Sequence, residues 1–165
     1  MDCPTRLLDV VQRALPALRA LDEARTALRP SPGKWSPREI IGHLIDSASN
    51  NHQRFMRAQF QDDLIFPGYD QDVWVEVQGY QEVPFAELLA MWELYNKLLA
   101  RVLRGVPEHV RSATHTRHSL DRFAFRTVPA HESATLAYFM CDYVDHLEHH
   151  LRQILGPEWD RVAAS

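Results

Sequence analysis

One segment, residues 138–155, constrains the fold of this chain more than any other part of the sequence. It contains no proline or glycine, and Gly156-Pro157 follows it directly. Glycine tolerates the left-handed conformation that ends a helix and proline cannot continue one, so a helix is predicted to end there. Spacings of three and four residues place its apolar side chains on one helical face. These side chains are Phe139, Tyr143, Leu147, Leu151 and Ile154.

Two other segments repeat apolar residues at the same helical spacing. Residues 5–28 predict an amphipathic first helix, and Pro16 is expected to kink it or divide it in two. Residues 84–104 predict a helix of about five turns, which Gly105 and Pro107 end.

A further helix is predicted mainly from its start signal. Ser36 is a good N-cap, Pro37 suits the first helical position, and Glu39 completes an S-x-x-E capping box. The helical pattern continues from there to about Phe60. His43 falls on a stripe with apolar neighbours, so we expect its side chain to point at least partly inward.

The connections between these segments carry mixed signals. Residues 62–83 contain a turn and several aromatic side chains. We expect these side chains to seal one end of a helical core; they could at the same time form the wall of a substrate pocket. Residues 108–130 lack helical periodicity and permit a short strand or hairpin near residues 123–128. Ser133 is the candidate N-cap of the last helix. Together the segments predict an all-α fold, a four-helix bundle with long loop insertions, in one domain of residues 1–165.

Three histidines lie on the last predicted helix. At about 100° per residue, His146 and His150 differ by about 40° and lie one turn apart on one face. Two imidazoles in this arrangement can bind one divalent metal ion. His149 lies about 60° to the other side and Cys141 lies roughly opposite, so neither is expected to share the site. An isolated H-x-x-x-H pair is equally compatible with histidines that only pack or face solvent.

A metal needs a third ligand, and His43 is the candidate, because bundles build metal sites from side chains on facing helices. The alternative is a core histidine with an ordinary hydrogen-bond partner. Three imidazoles would leave coordination positions open, which is typical of catalytic zinc sites, since structural sites usually have four protein ligands.

Composition excludes several other classes of protein. The formal net charge of −4 argues against general nucleic-acid binding. The sequence has no apolar stretch long enough to cross a membrane and no signal-peptide features, so no membrane partner and a cytoplasmic location are expected. Cys3 and Cys141 form no C-x-x-C pair, so neither a disulfide framework nor a cysteine zinc site is expected.

One stretch of the sequence, residues 101–126, is locally basic, with six arginines and three histidines. It is either a solvated surface or a patch that attracts an anionic small substrate.

The motifs resemble a known family. Residues 32–47, P-G-K-W-S-P-R-E-I-I-G-H-L-I-D-S, are similar to the second-helix signature of the DinB/YfiT-like superfamily, and residues 138–154, ending H-L-E-H-H-L-R-Q-I, are similar to its last helix. The similarity to the YfiT branch is closer and covers nearly the whole chain. Its spacing is matched by Asp46-Ser47, Asn50, Arg54-Phe55, Tyr69-Asp70 and Trp74. This chain has Gly42 and Ala48 where YfiT-like chains often have histidines.

The resemblance implies a four-helix bundle, often a homodimer, that holds one divalent metal ion. Carried over residue by residue, the ligands are His43, His146 and His150, which also form the catalytic centre through the metal. Members are described as metal-dependent hydrolases or as transferases of low-molecular-weight thiols such as bacillithiol. A metal-activated water would support hydrolysis and a metal-held thiolate would support transfer. The closer YfiT similarity favours transfer. Zinc, nickel and iron all suit imidazole ligands.

Four further residues are candidates for orienting a ligand imidazole or binding substrate. Asp46, Asp142 and Gln153 each lie three or four positions from a candidate ligand, within reach of its second ring nitrogen. Tyr143 lies near the histidine face and is expected to bind substrate or to pack. The alternative for each polar residue is an ordinary solvated position.

Three hypotheses follow for the function. The first is a metal-dependent enzyme, a thiol transferase or a hydrolase, acting on a small-molecule thiol or electrophile. The second is a non-catalytic, stress-associated bundle that binds metal. The third is a helical domain without metal.

Overall fold

The computed structural model describes residues 2–163, and four long helices form its core. The ends of the predicted domain, residues 1, 164 and 165, lie outside this range. The four long helices are α1 (Cys3–Arg19), α3 (Pro37–Arg57), α5 (Phe85–Gly105) and α8 (Leu136–Leu155). This all-α arrangement confirms the predicted four-helix bundle.

The packing order around the bundle differs from the order along the chain. Helix α5 packs against α1 and α3, and α8 packs against the same two helices. Helices α1 and α3 therefore lie on one diagonal, and α5 and α8 lie on the other. Diagonal neighbours need long crossover connections, which explains the extended segments between α1 and α3 and between α5 and α8.

Short elements lie in these two connections, in the connection between α3 and α5, and after α8. The short helices are α2 (Glu23–Thr26), α4 (Gln71–Val77), α6 (Glu108–Arg111), α7 (Leu120–Phe123) and α9 (Pro157–Ala163). Two 3-10 turns cover Ala58–Phe60 and Tyr80–Glu82. Strands β1 (Thr114–His115) and β2 (Ala134–Thr135) pair antiparallel, with Thr114 opposite Thr135.

The start of α3 follows the capping prediction. The Ser36 hydroxyl accepts a hydrogen bond from the Glu39 amide at 3.3 Å, and the Glu39 carboxylate accepts one from the Ser36 amide at 2.8 Å. Arg29 donates to the same buried carboxylate. The register of α3, and with it the direction of His43, is therefore set by a local sequence signal.

Three local predictions are wrong. Pro16 lies inside α1, which ends at Arg19 rather than extending to residue 28, because the chain turns and restarts at the Asp22 cap. The strand predicted near residues 123–128 is displaced, since the paired strands lie at 114–115 and 134–135. Thr135, not Ser133, caps α8, because its hydroxyl accepts from the Tyr138 amide.

The prediction about the cysteines is also wrong. Cys3 and Cys141 form a disulfide, with Cα atoms 5.3 Å apart. The two residues are separated by 138 positions, and packing of α1 against α8 brings them together. Local spacing rules do not detect such a pair, since they test only nearby cysteines.

Among residues 2–163, no helix combines the length and the apolar character needed to span a membrane.

Candidate metal centre

His43 reaches the interior from the middle of α3. Its side chain is 2% exposed, and its ring lies against the Trp35 ring with centroids 4.9 Å apart. Trp35 immediately precedes the N-cap of α3, so the capping motif also places an aromatic wall beside the imidazole. The inward direction of His43 predicted from its helical stripe is confirmed.

Helix α8 brings two more imidazoles to the same point. The Nε2 atom of His146 lies 3.0 Å from Nε2 of His150 and 3.2 Å from Nε2 of His43. The three candidate ligand atoms all lie within 4.8 Å of one another. The face shared by His146 and His150 thus meets α3, as the spacing of the two histidines predicted.

The spacing of the nitrogens fits one metal ion. In a tetrahedral zinc site with Zn–N distances of about 2.0–2.1 Å, neighbouring ligand nitrogens lie about 3.3 Å apart. The nitrogens of His146 lie close to that distance from both partners. The three side chains therefore need only small adjustments to bind one ion.

The electrostatic environment keeps these imidazoles neutral, which is the form that binds metal. Burial, with repulsion from the neighbouring imidazoles, lowers the pKa of His43 to about 3. Burial likewise lowers the pKa of His150 to about 4 and the pKa of His146 well below its usual value.

Gln153 holds one ligand from behind. The Nδ1 atom of His150 lies 2.8 Å from Oε1 of Gln153, so this nitrogen can donate while Nε2 faces the other imidazoles. The Gln153 amide nitrogen lies 2.9 Å from Nε2 of His149, which lines the adjoining cavity but is not one of the three clustered nitrogens. Such hydrogen bonds fix the tautomer and orientation of a ligand imidazole.

Comparison with known families places this chain. The family model of the DinB superfamily matches residues 6–154, nearly the full length. This chain belongs to the DinB superfamily.

Two solved structures share the fold of this DinB superfamily protein. YfiT from Bacillus subtilis, described as "a probable metal-dependent hydrolase with an unusual four-helix bundle topology", matches with a TM-score of 0.75 and 20% identity, over 98% of this chain and 86% of that chain. A mycothiol-dependent maleylpyruvate isomerase matches with a TM-score of 0.66 and 13% identity, over 94% of this chain and 61% of that one. At such identities the similarity establishes the fold alone.

A sequence relative comes from Oceanobacillus iheyensis and is named "Putative metal-dependent hydrolase". It is 30% identical to this DinB superfamily protein over 74 residues. The match covers 45% of this chain and 42% of the relative, so the chain spans less than half of that protein's length.

Asp46 lies near the three imidazoles but does not orient one. Its Oδ1 atom accepts hydrogen bonds from the Tyr80 hydroxyl and from the Gln78 amide, both at 2.7 Å. The Nδ1 atom of His43 is buried without a partner among residues 2–163, and so is Oδ2 of Asp46. Asp46 therefore ties α3 to the 71–82 segment.

Asp142 and Tyr143 are also engaged elsewhere. The Asp142 carboxylate accepts hydrogen bonds from the backbone amides of Phe125 and Arg126, at 2.7 and 2.6 Å. The buried Tyr143 hydroxyl donates to Asn96 at 2.7 Å. Of the three residues predicted to orient a ligand imidazole, the structure places only Gln153 in a hydrogen bond to a candidate ligand.

A cavity of about 550 Å³ adjoins the three histidines and leaves room for a substrate. Its polar wall comes from the same side of α3 as His43 and consists of Ser47, Asn51 and Arg54. Its aromatic wall consists of Tyr69, Phe123, Phe125, Phe139 and Tyr143. A second cavity, of about 800 Å³, also reaches His150 and is lined by Trp35 and Lys34. The prediction that residues 62–83 wall a pocket holds for Tyr69.

Sequence reasoning missed the position of Arg54 in this cavity. The helical spacing does place Arg54 on the same side of α3 as His43, because an offset of eleven residues is close to three full turns. The spacing alone does not indicate that this side chain is buried and lines a cavity with the histidines.

Proposed function

We propose that this protein is a metal-dependent enzyme that transfers a low-molecular-weight thiol to an electrophilic small molecule. Its metal ligands are His43, His146 and His150. The observation that carries the proposal is the convergence of three imidazole Nε2 atoms, from buried His43 and half-buried His146 and His150, beside an open cavity.

A divalent ion bound there supplies Lewis acidity, which lowers the pKa of a thiol or water at an open position. The protein's own contribution is positioning. Burial keeps the imidazoles neutral, Gln153 orients His150, and the Asp46–Tyr80 hydrogen bond holds α3 in place. The aromatic wall excludes water from the reacting groups, which strengthens electrostatic interactions in the site.

Zinc, nickel or iron is the proposed metal, because imidazole ligands suit all three and cellular availability decides among them. We also propose a cytoplasmic setting and a homodimeric assembly of a single-domain chain.

The names of the relatives support metal dependence and favour two activities. YfiT and the Oceanobacillus iheyensis protein are both described as metal-dependent hydrolases. The isomerase is described as dependent on mycothiol, a thiol. The second candidate function is therefore hydrolysis with a metal-activated water. A non-catalytic metal-binding role is the third.

The decisive experiment uses untagged protein loaded separately with zinc, nickel and iron. A panel of thiols is incubated with an electrophile such as monochlorobimane, and conjugation is followed by fluorescence. Metal-dependent turnover that is lost in His43→Ala and His146→Ala, and retained in His109→Ala, supports transfer, because His109 is exposed and does not line the cavity. Ester hydrolysis with the same dependence supports the hydrolase. Metal binding without turnover in either assay contradicts both and favours the non-catalytic role.

A further inference from the structure

Arg54 is a buried cation in the cavity beside the three histidines, and its partners within the chain are neutral. Its side chain is 6% exposed. One terminal nitrogen donates to the Pro67 carbonyl at 3.1 Å, and the other lies 3.5 Å from Oδ1 of Asn51. The Phe123 ring centroid lies 5.1 Å from the guanidinium carbon. Among residues 2–163, no carboxylate forms an ion pair with Arg54.

Other partly buried arginines in this protein have acidic partners. Arg38 pairs with Glu23 at 2.7 Å, and Arg6 pairs with Asp145 at 2.6 Å. Arg54 is more buried than either, so it needs a counter-charge more than they do, and the described residues 2–163 supply none. Burying an ion without one is costly, and a guanidinium remains charged at any physiological pH.

The position of Arg54 on α3 directs it towards the histidines. Eleven residues of helix rotate the chain by about 1100°, which leaves Arg54 within about 20° of His43 and about 16 Å further along the axis. Both side chains line the same cavity. Ser47 and Asn51 line the interval between them.

We propose that Arg54 binds a carboxylate of the substrate, while the reactive part of the same molecule lies at the three imidazoles. The planar guanidinium fork matches a carboxylate in a paired hydrogen-bonding geometry. Arg122, exposed at the same cavity and close to the Phe123 ring, adds positive potential at the entrance. The substrate class is a short organic acid with a thiol or an electrophilic carbon a few bonds from its carboxylate.

The placement of the reactive group depends on the proposed function, but binding of the carboxylate does not require a metal. The first measurement is therefore calorimetric titration of metal-free protein. Two matched pairs of ligands show which substrate carries the carboxylate. Comparing 3-mercaptopropionate with its amide tests a thiol that carries it, and comparing crotonate with crotonamide tests an electrophile that carries it. We expect the acid of at least one pair to bind about tenfold or more tightly than its amide, since a charge-assisted hydrogen bond is lost in the amide.

Arg54→Gln should abolish this preference for the acid, and Arg54→Lys should retain part of it. Arg57→Gln is the matched control, because Arg57 is exposed on the same helix and outside the cavity. A merely structural Arg54 would weaken acid and amide binding equally. Melting curves show whether each variant folds. If Arg54→Gln does not fold, the test rests on Arg54→Lys, which should show a reduced preference for the acid over the amide.

The second measurement repeats the mercaptan titrations on cobalt-substituted protein and follows the thiolate charge-transfer absorption. Arg54→Gln should raise the dissociation constant of 3-mercaptopropionate about tenfold and leave that of its amide unchanged. Absence of the absorption with every thiol, together with intact acid preference in metal-free protein, would refute thiol transfer and leave this inference standing. Equal binding of acid and amide by the wild type in both pairs would overturn the inference.

Discussion

The aromatic ring of Tyr80 lies where any side chain on residue 42 would have to be. A Cβ atom added to Gly42 would come within 2.1 Å of Cδ2 of Tyr80. The Tyr80 hydroxyl continues past this contact and donates to Asp46. The absence of a histidine at position 42 therefore has a structural reason: the Tyr80 ring takes the space beside α3, one residue before the candidate metal ligand His43.

The first prediction concerns this contact. Gly42→Ala should lower the free energy of unfolding by about 1–3 kcal/mol. The buried Tyr80 ring would have to shift, which would lengthen the hydrogen bond from its hydroxyl to Asp46. Urea denaturation measures the change. Gly105→Ala is the control, since a Cβ there meets nothing within 4 Å. Equal stability of Gly42→Ala and wild type would show that the ring does not occupy this space.

The second prediction concerns the support of a ligand. Gln153→Ala should weaken metal binding about 10- to 100-fold, because His150 loses the hydrogen bond that fixes its ring. Competition with a chromophoric chelator measures the affinity. Gln59→Ala is a matched control. Gln59 lies in the 3-10 turn that follows α3, donates to the Phe55 carbonyl and does not line the cavity beside the histidines. An unchanged metal affinity in Gln153→Ala would remove Gln153 from the site.

The third prediction concerns the pH dependence of the metal-free protein. The folded-state pKa of each of the three imidazoles lies below its unfolded value of about 6.5, so the unfolded state binds more protons as pH falls through that value. Stability is then present above about pH 6.5 and declines below it. Between pH 7.5 and 5.5 the loss should approach about 1.4 kcal/mol for each imidazole.

Urea denaturation in the presence of a chelator measures this dependence. His150→Gln should remove about one third of the slope, because one of the three titrating groups is gone. A flat stability profile across this range would indicate that the imidazoles reach water and titrate normally.

The fourth prediction concerns the link between α1 and α8. Reducing the Cys3–Cys141 bond, which joins residues 138 positions apart, should lower the free energy of unfolding by about 2–4 kcal/mol, since the unfolded chain regains the entropy of an open loop. Thermal melts with and without dithiothreitol measure the shift. The Cys3→Ser/Cys141→Ser double variant should melt at one temperature under both conditions. Two free thiols in the oxidised wild-type protein would contradict the bond.

The success of the sequence-based predictions depended on the range of the interactions involved. The Ser36–Glu39 capping box and the shared face of His146 and His150 depend on residues within one turn of helix, and both predictions were correct. Asp46 was predicted to orient His43 only because it lies three positions further along the same helix. Tyr80, 34 residues further along, takes its hydrogen bond instead.

The sequence by itself determined the four amphipathic helices, the start of α3, the ends of α5 and α8, and the shared face of His146 and His150, because helical periodicity is a local property of the chain. Only the tertiary structure decided which helices lie on a diagonal, that His43 meets the histidine pair of α8, that Cys141 meets Cys3, and that Arg54 is buried with no acidic partner among residues 2–163. These outcomes depend on packing between residues that are distant in sequence. Local pattern does not specify that packing, since many alternative arrangements bury the same apolar faces.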